Sequence, residues 1–257
     1  MSLPESAPCE FLPWDTEFFG CRIARVRGEV MTPEQGAEAD DWCRSNGVRC
    51  LYFLSRADDP ETVQTAEQHG FGLVDVRVTF ERALGRAAGP AGREQVSAIS
   101  VRHAQPGDLA GLEAIARTAH TATRFFNDRH FPRPVVENFY ATWVASEVQG
   151  RAQAVLVAAT PAGQAVGYLS CHLDPVLRRG SIGLVGVGEG VRGQGVGRSL
   201  VLRAVDWFGT QQAREVTVVT QGNNRAAQRL YQRCGFLSRD LQLWYHKWFP
   251  PPHEGAS

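Results

Sequence analysis

The sequence predicts an α/β (α+β) chain in which a small βα domain precedes a twisted mixed sheet with helices on both faces. Three observations predict it. Strand-like and helix-like periodicities alternate along the 257 residues, as they do when helices cover a sheet. Strand signals outnumber helix signals in the second half, which favours a mixed sheet over an all-parallel one. The stretch Gly85-Arg86-Ala87-Ala88-Gly89-Pro90-Ala91-Gly92 has no period that could bury a face, and it reads as a linker. The expected boundaries are 1–84 for the βα domain, 85–97 for the linker and 98–257 for the larger domain.

In the first domain, 21–30 and Val48 to Leu54 read as strands, while 33–45 and 60–69 read as helices stopped by Asn46-Gly47 and by Gly70. Val74, Val76, Val78 and Phe80 alternate with Asp75, Arg77, Thr79 and Glu81, the pattern of a strand with one buried and one polar face. In the second domain Ile99 to Arg102 is a short strand, and Pro106-Gly107-Asp108 opens a helix reaching about His120. A polar aromatic segment from Thr123 to Pro134 leads into a helix over 134–148. Strands are expected at 154–159, 165–173, 181–187 and 215–220, helices at 196–211 and 223–234, and a last strand near 240–248. The aromatic content of Leu241 to Tyr245 exceeds what an exposed edge should carry, which makes that strand the candidate contact of a homodimer.

Composition narrows the function classes. Hydrophobic residues make up 43% and charged residues 21%, ordinary globular usage that excludes a disordered or fibrous chain. Lys plus Arg and Asp plus Glu both total 27, so there is no basic field to draw in a nucleic-acid backbone. The cysteines at 9, 21, 43, 50, 171 and 234 form no C-x-x-C pair and read as reduced thiols. The opening Met1-Ser2-Leu3-Pro4-Glu5 has neither a basic nor an apolar leader region, and no run approaches the roughly 20 apolar residues of a membrane span. The expectation is a soluble, cytoplasmic protein.

The sharpest constellation is the strand Ile182 to Val187, which feeds Arg192-Gly193-Gln194-Gly195-Val196-Gly197 and then a helix with Leu200, Val201, Ala204, Val205 and Phe208 on one face. Glycines just before a helix start let the backbone approach an anion, which unpaired N–H groups and the helix dipole then hold. This is a pyrophosphate cradle. Gly188-Glu189-Gly190-Val191-Arg192-Gly193 formally matches the dinucleotide pattern G-x-G-x-x-G, but the next strand ends in Thr220-Gln221 and not in the acid that a ribose requires. A mononucleotide P-loop fails because no Gly-Lys-Ser/Thr follows the glycines.

Arg192, Gly195 and Gly197 do meet the pattern Arg/Gln-x-x-Gly-x-Gly/Ala, and Asn224 to Phe236 has the form N-x-x-A-x-x-L-Y-x-x-x-G-F. On these two ordered motifs the chain, over roughly 98–248, resembles the GCN5-related N-acetyltransferase superfamily. The resemblance implies acetyl-CoA as co-substrate, with no metal, held by Val185, Val187, Arg192, Gly193, Gln194, Gly195, Val196, Gly197, Arg198 and Asn224. It further implies that the strand 182–187 splays from its neighbour after Val187, so that its backbone pairs with the pantetheine amides. Gly183 and Gly186 would then mark a close approach, or mere packing gaps. Tyr231 is the implied acid that protonates the departing thiolate, although Ala227, Leu230, Tyr231 and Cys234 also form one helical stripe, as core residues would. Asn224 would contact the pantetheine arm, or simply cap its helix.

The attacking amine must lose a proton, and no acid stands in the family's usual place on the strand 181–187. Asp75 is the candidate for polarising a water that deprotonates the amine, with a solvated strand face as its bland alternative. His120, His130 and His172 are further candidates, and no metal-ligand spacing links them. Trp14-Asp15-Thr16-Glu17-Phe18-Phe19-Gly20 is similar to the opening W-[DE]-[ST]-x-F-F-G of bacterial nucleotide-sugar N-acetyltransferases of the dTDP-fucosamine acetyltransferase type. Arg124 to Pro132 and Thr220 to Asn224 also resemble segments of that group. This implies a nucleotide-linked amino sugar bound in a cleft between the domains, its diphosphate met by Arg124, Arg129 and Arg133 and its base or sugar stacked on Phe125, Phe126 and Phe131. The bland reading of that loop is a small hydrophobic cluster with solvated arginines. An acetyltransferase for another small amine or antibiotic, and a non-catalytic acetyl-CoA-binding regulatory module, are the alternatives.

Overall fold

The computed structural model describes residues 7–85 and 99–251; the opening pentapeptide and the linker beyond Gly85 lie outside the described residues. The chain divides into two compact units, the first made of Met1–Arg77, Asn127–His130 and Leu241–Ser257, the second of Val78–Phe126 and Phe131–Asp240. No helix among the described residues is long and apolar enough to cross a membrane.

The first unit contains β1 (Cys9–Phe11), α1 (Pro13–Phe19), β2 (Ile23–Val26), α2 (Pro33–Ser45), β3 (Cys50–Arg56), α3 (Pro60–Gln68), the start of β4 (Gly72–Ala83) and the end of the last strand, β10 (Leu237–Trp248). Proline opens α2 and α3 at a position whose N–H has no helical partner anyway. Thr32 and Gln35 cap α2 reciprocally, and Asp59 accepts from the Thr62 N–H at 3.2 Å to cap α3. β2 runs parallel to β3 with α2 as the crossover, and β10 runs antiparallel to β3, with Gln242 opposite Arg56 and Trp248 opposite Cys50. Leu51, Phe53, Phe71 and Tyr245 meet in the core, where burial of each contributes about 1.5–3 kcal/mol.

Two expectations change here. β10 lies between β3 and β4, so Leu241 to Tyr245 is no free edge. Its aromatic content fills the core, with Tyr245 fully buried and 6.4 Å from Phe53, and the argument for a dimer through this strand falls. In β4 the buried residues are Asp75, Val78 and Phe80, whereas Val74 and Val76 are half-buried. Both faces of that strand are covered, so alternation no longer separates core from solvent, and Asp75 does not sit on a solvated face.

The second unit continues β4 and adds β5 (Ser100–His103), a 3₁₀ turn, α4 (Leu109–Ala119), the one-turn α5 (Arg124–Asn127), α6 (Arg133–Ser146), β6 (Ala154–Ala159), β7 (Ala165–Asp174), β8 (Arg179–Val187), α7 (Val196–Thr210), β9 (Glu215–Gln221) and α8 (Arg225–Arg233). β5 to β8 form an antiparallel series, and β9 joins β8 in parallel across α7, so the sheet is mixed as predicted. β6 is buried along its whole length. β7 shows why helices lie on both faces. A Cβ on Gly167 would stand 3.2 Å from Val196 and Leu200 of α7, while the next residue, Tyr168, points the other way to His120 beyond α4.

Candidate active site

A cleft of 660 Å³ opens in the second unit where β8 and β9 part. The two strands pair only from Arg179 opposite Glu215 to Ile182 opposite Val218. The separation therefore comes ahead of the position expected after Val187, and a bulge is the cause. The register of β8 against β7 shifts between Leu169 and Cys171, which sets Gly183 and Leu184 of β8 against Ser170 alone, and the Leu184 N–H donates to Ser170 Oγ at 2.9 Å. A bulge bends its strand and sharpens its twist. From Gly183 to Val187 the backbone has no ladder partner on the β9 side.

The glycines of β8 make room for β7. A Cβ on Gly183 would stand 2.6 Å from Ser170 Oγ and 2.9 Å from His172, and one on Gly186 would stand 2.4 Å from the Tyr168 ring. The glycine loop follows. Gly193 and Gly195 adopt φ of 78° and 84°, the left-handed region that a side chain disfavours. Gly195 is the N-cap of α7 and brings no side chain to cap its first turn. Arg192 is partly a clamp, its guanidinium donating to the carbonyls of Val187 at 3.2 Å and Thr118 at 3.3 Å. Among the described residues, Arg192, Arg198, Arg229 and Arg233 line the cleft and no carboxylate does, with Glu189 pairing with Arg192 from outside it at 3.5 Å. A chain of zero net charge thus concentrates positive potential at one place.

α8 supplies the far wall. Asn224 Oδ1 accepts from the Ala227 N–H at 3.1 Å, so the residue is a true helix cap, and it lines the cleft as well. Tyr231 also lines the cleft, with its ring between Phe80 at 6.0 Å and Phe236 at 6.1 Å. Burial pushes its phenol up, which keeps it protonated at neutral pH. Sequence reasoning named His120 among its candidates but missed Tyr140 and Trp143 of α6, which build this wall with it. There His120 Nε2 lies 2.8 Å from Tyr168 Oη, its ring stacks on Tyr140 at 4.6 Å, and burial lowers it to about 4. Trp143 completes this wall, donating from Nε1 to the buried Glu147 at 2.9 Å, and Glu147 in turn meets His172 at 2.7 Å. The two His120 contacts link residues 48 and 20 positions apart, for which no local motif exists.

The remaining predicted site residues lie elsewhere. Asp75 belongs to the first unit and is not among the residues that line the cleft. The loop resembling a sugar-binding segment is divided, Arg124, Phe125 and Phe126 in the second unit and Asn127 to His130 in the first. Phe125 is 3% exposed against Phe131 and Phe139, with the Arg124 guanidinium 4.3 Å over its ring, so Phe125 and Phe131 are packing residues and offer no face to a base. Phe126 is half-buried and Arg129 exposed. Between them Asp128 is buried and accepts from His246 Nδ1 at 2.7 Å, Trp248 Nε1 at 2.8 Å and the His130 N–H at 3.0 Å. Burial alone would raise that carboxyl, but these donors outweigh it and hold it well below the usual carboxylate range.

Residues 115–236 match the Acetyltransferase (GNAT) family. Over 251 residues, covering 95% of this chain and 100% of the relative, the sequence is 28% identical to dTDP-fucosamine acetyltransferase of Escherichia coli O6:H1. A stretch of 151 residues, 56% of this chain, is 32% identical to spore coat polysaccharide biosynthesis protein SpsD of Bacillus subtilis, of which it spans 49%, about half the length. The structure resembles a GCN5-related N-acetyltransferase from Sphaerobacter thermophilus with a TM-score of 0.69 at 19% identity, covering 95% of this chain and 76% of that one, a likeness of fold. The parted strands and the uncapped glycine loop both fall inside the matched span, and the conclusion is that residues 115–236 form a GNAT-type acetyltransferase domain.

Proposed function

We propose that this protein is a cytoplasmic enzyme that transfers the acetyl group of acetyl-CoA to the primary amine of a nucleotide-linked amino sugar. The observation that carries the first half is the cleft itself, an uncapped helix start beside an unpaired strand edge, lined by arginines and, among the described residues, by no carboxylate. Those residues fit a long polyanionic thioester. The N–H groups around Gly193, Gln194, Gly195, Val196, Gly197 and Arg198 suit its pyrophosphate, the backbone of Val185 and Val187 its amides, and Asn224 its arm. When bound, acetyl-CoA supplies an activated acetyl group.

Tyr231 holds a proton at Oη for the departing sulfur. Burial raises the phenol, and the same low-dielectric surroundings raise the thiol that must receive the proton, so the mismatch between them does not widen. The second half of the reading rests on similarity to the E. coli dTDP-fucosamine acetyltransferase along nearly the whole of both chains. Arg124 and Arg129 are assigned to the sugar diphosphate and Phe126 to the sugar or base, with no such role for the buried Phe125. The test is thiol release from acetyl-CoA with a nucleotide-linked amino sugar, the corresponding free sugar and an aminoglycoside. The nucleotide-linked substrate should turn over with the highest kcat/KM. A faster free sugar or aminoglycoside would reassign the acceptor, and no thiol release with any amine would remove the catalytic reading.

A further inference from the structure

We infer that His120 is the group that takes the proton from the acceptor amine, and that Tyr168 and Tyr140 are positioning residues for its ring. The inference rests on the acetyl-transfer reading above and deepens it by naming the missing base. An amine attacks a carbonyl only through its lone pair, so one proton must leave the nitrogen as the C–N bond forms. Among the described residues that line the cleft there is no Asp, Glu, Lys or Cys. Arginine does not release its proton, and amides, hydroxyls and indoles are poor acceptors. Among the described lining residues, His120 is the one whose side chain bears a titratable lone pair at neutral pH.

The ring is built to stay in place. Tyr140 stacks on it at 4.6 Å with 21° between the planes, and Tyr168 Oη meets Nε2 at 2.8 Å. Tyr168 is itself fully buried, its ring occupying the space that Gly186 leaves by lacking a Cβ. Nε2–H donating to Tyr168 Oη leaves the lone pair on Nδ1. The proton then passes from the amine nitrogen to Nδ1. The nitrogen lone pair makes the C–N bond, the N–H pair remains on the amide nitrogen, and the C–S pair leaves on sulfur, which takes the Tyr231 proton. Solvent returns a proton to Tyr231 and removes one from His120. Burial favours neutral imidazole at rest, but it disfavours an ammonium ion in the same cleft too, so the transfer moves one positive charge without adding another. The charged and titratable groups facing His120 are Tyr168 from β7, Tyr140 from α6 and Arg192, which reaches the Thr118 carbonyl; Glu147 beyond Tyr168 is paired with His172.

His120→Gln keeps a hydrogen-bonding group towards Tyr168 and removes the proton acceptor. With wild type turning over the amino sugar, the variant should lose about 10²–10⁴-fold in kcat with KM for acetyl-CoA unchanged. Its residual rate should climb with pH, as the solution supply of free amine grows. A folded variant within threefold of wild type would overturn the role of His120 and leave acetyl transfer standing. A wild type inactive on every amine would overturn both. Nitrogen-15 NMR of the wild-type imidazole keeps the matter decidable if the variant misfolds: the proton should reside on Nε2 at neutral pH, and a proton on Nδ1 would refute the assignment.

Discussion

Replacing Gly195 by Asp tests whether the start of α7 holds an anion. Gly195 sits at φ 84° as the uncapped N-cap, so any side chain there incurs about 1–2 kcal/mol of backbone strain. Asparagine carries nearly the same strain and bulk without charge, and is the control. A carboxylate about 5 Å from a pyrophosphate, at an effective dielectric of about 20, is repelled by about 3 kcal/mol per unit charge. Arg192 and Arg198 line the same cleft and offset part of this. The expectation is a further loss of about 3–4 kcal/mol for Asp relative to Asn, roughly 10²–10³-fold in Kd. Calorimetric titration with acetyl-CoA measures it, and circular dichroism checks the fold. The gap should narrow in higher salt. Equal losses in both variants would mean that the loop acts by shape alone, and a folded Asp variant that binds like wild type would refute the cradle.

Three other outcomes are expected. Tyr231→Phe preserves the ring contacts with Phe80 and Phe236, so the melting temperature should hold while turnover falls about 10²–10⁴-fold; unchanged turnover would make Tyr231 a core residue only. Arg124→Ala should raise KM for the nucleotide-linked sugar and leave acetyl-CoA affinity alone, and equal KM values before and after would detach that loop from the substrate. Asp128 has a folded pKa below its unfolded value, so its stabilisation is present above about pH 4 and drains away as pH falls through the lower folded value. Asp128→Asn should lose about 1.5–3 kcal/mol at pH 7, and urea melts should show a flatter acid limb than wild type's.

What was legible in the sequence was local. The helix 33–45 has its cap box and stop signal within its own span, and the strand 154–159 is one apolar run; both emerge as α2 and β6. The glycine loop was legible because an anion cradle needs contiguous residues. Asp75 was misplaced because alternation reports a solvated face only where one face is free, and β4 has both faces covered. The edge reading of β10 failed for a related reason. Aromatic residues mark burial without saying whether a neighbouring strand or a second copy provides it, and here the neighbour is β3, 185 or more residues earlier. The parting of β8 from β9 depends on a bulge that two glycines permit but do not announce. The pairing of His120 with Tyr168 crosses 48 positions and leaves no trace in spacing.

Several residues that sequence reasoning framed as either core or site are both held by local contacts and on the cleft wall. Asn224 caps α8 and lines the cleft. Gly183 clears space for Ser170 and His172, and it also belongs to the bulge that frees the strand edge. Tyr231 lies in an apolar stripe and also lines the cleft wall. The coincidence has a physical reason: a reacting group held within fractions of an ångström must be fixed by packing, so the best-packed positions at a cleft are where chemistry is most economically placed. It follows that truncating Tyr231 to alanine would mislead, since a cavity costing about 2–5 kcal/mol would masquerade as lost catalysis. Only substitutions that roughly keep the volume and remove the proton-transferring atom, such as Tyr231→Phe and His120→Gln, separate what the fold needs from what the reaction needs.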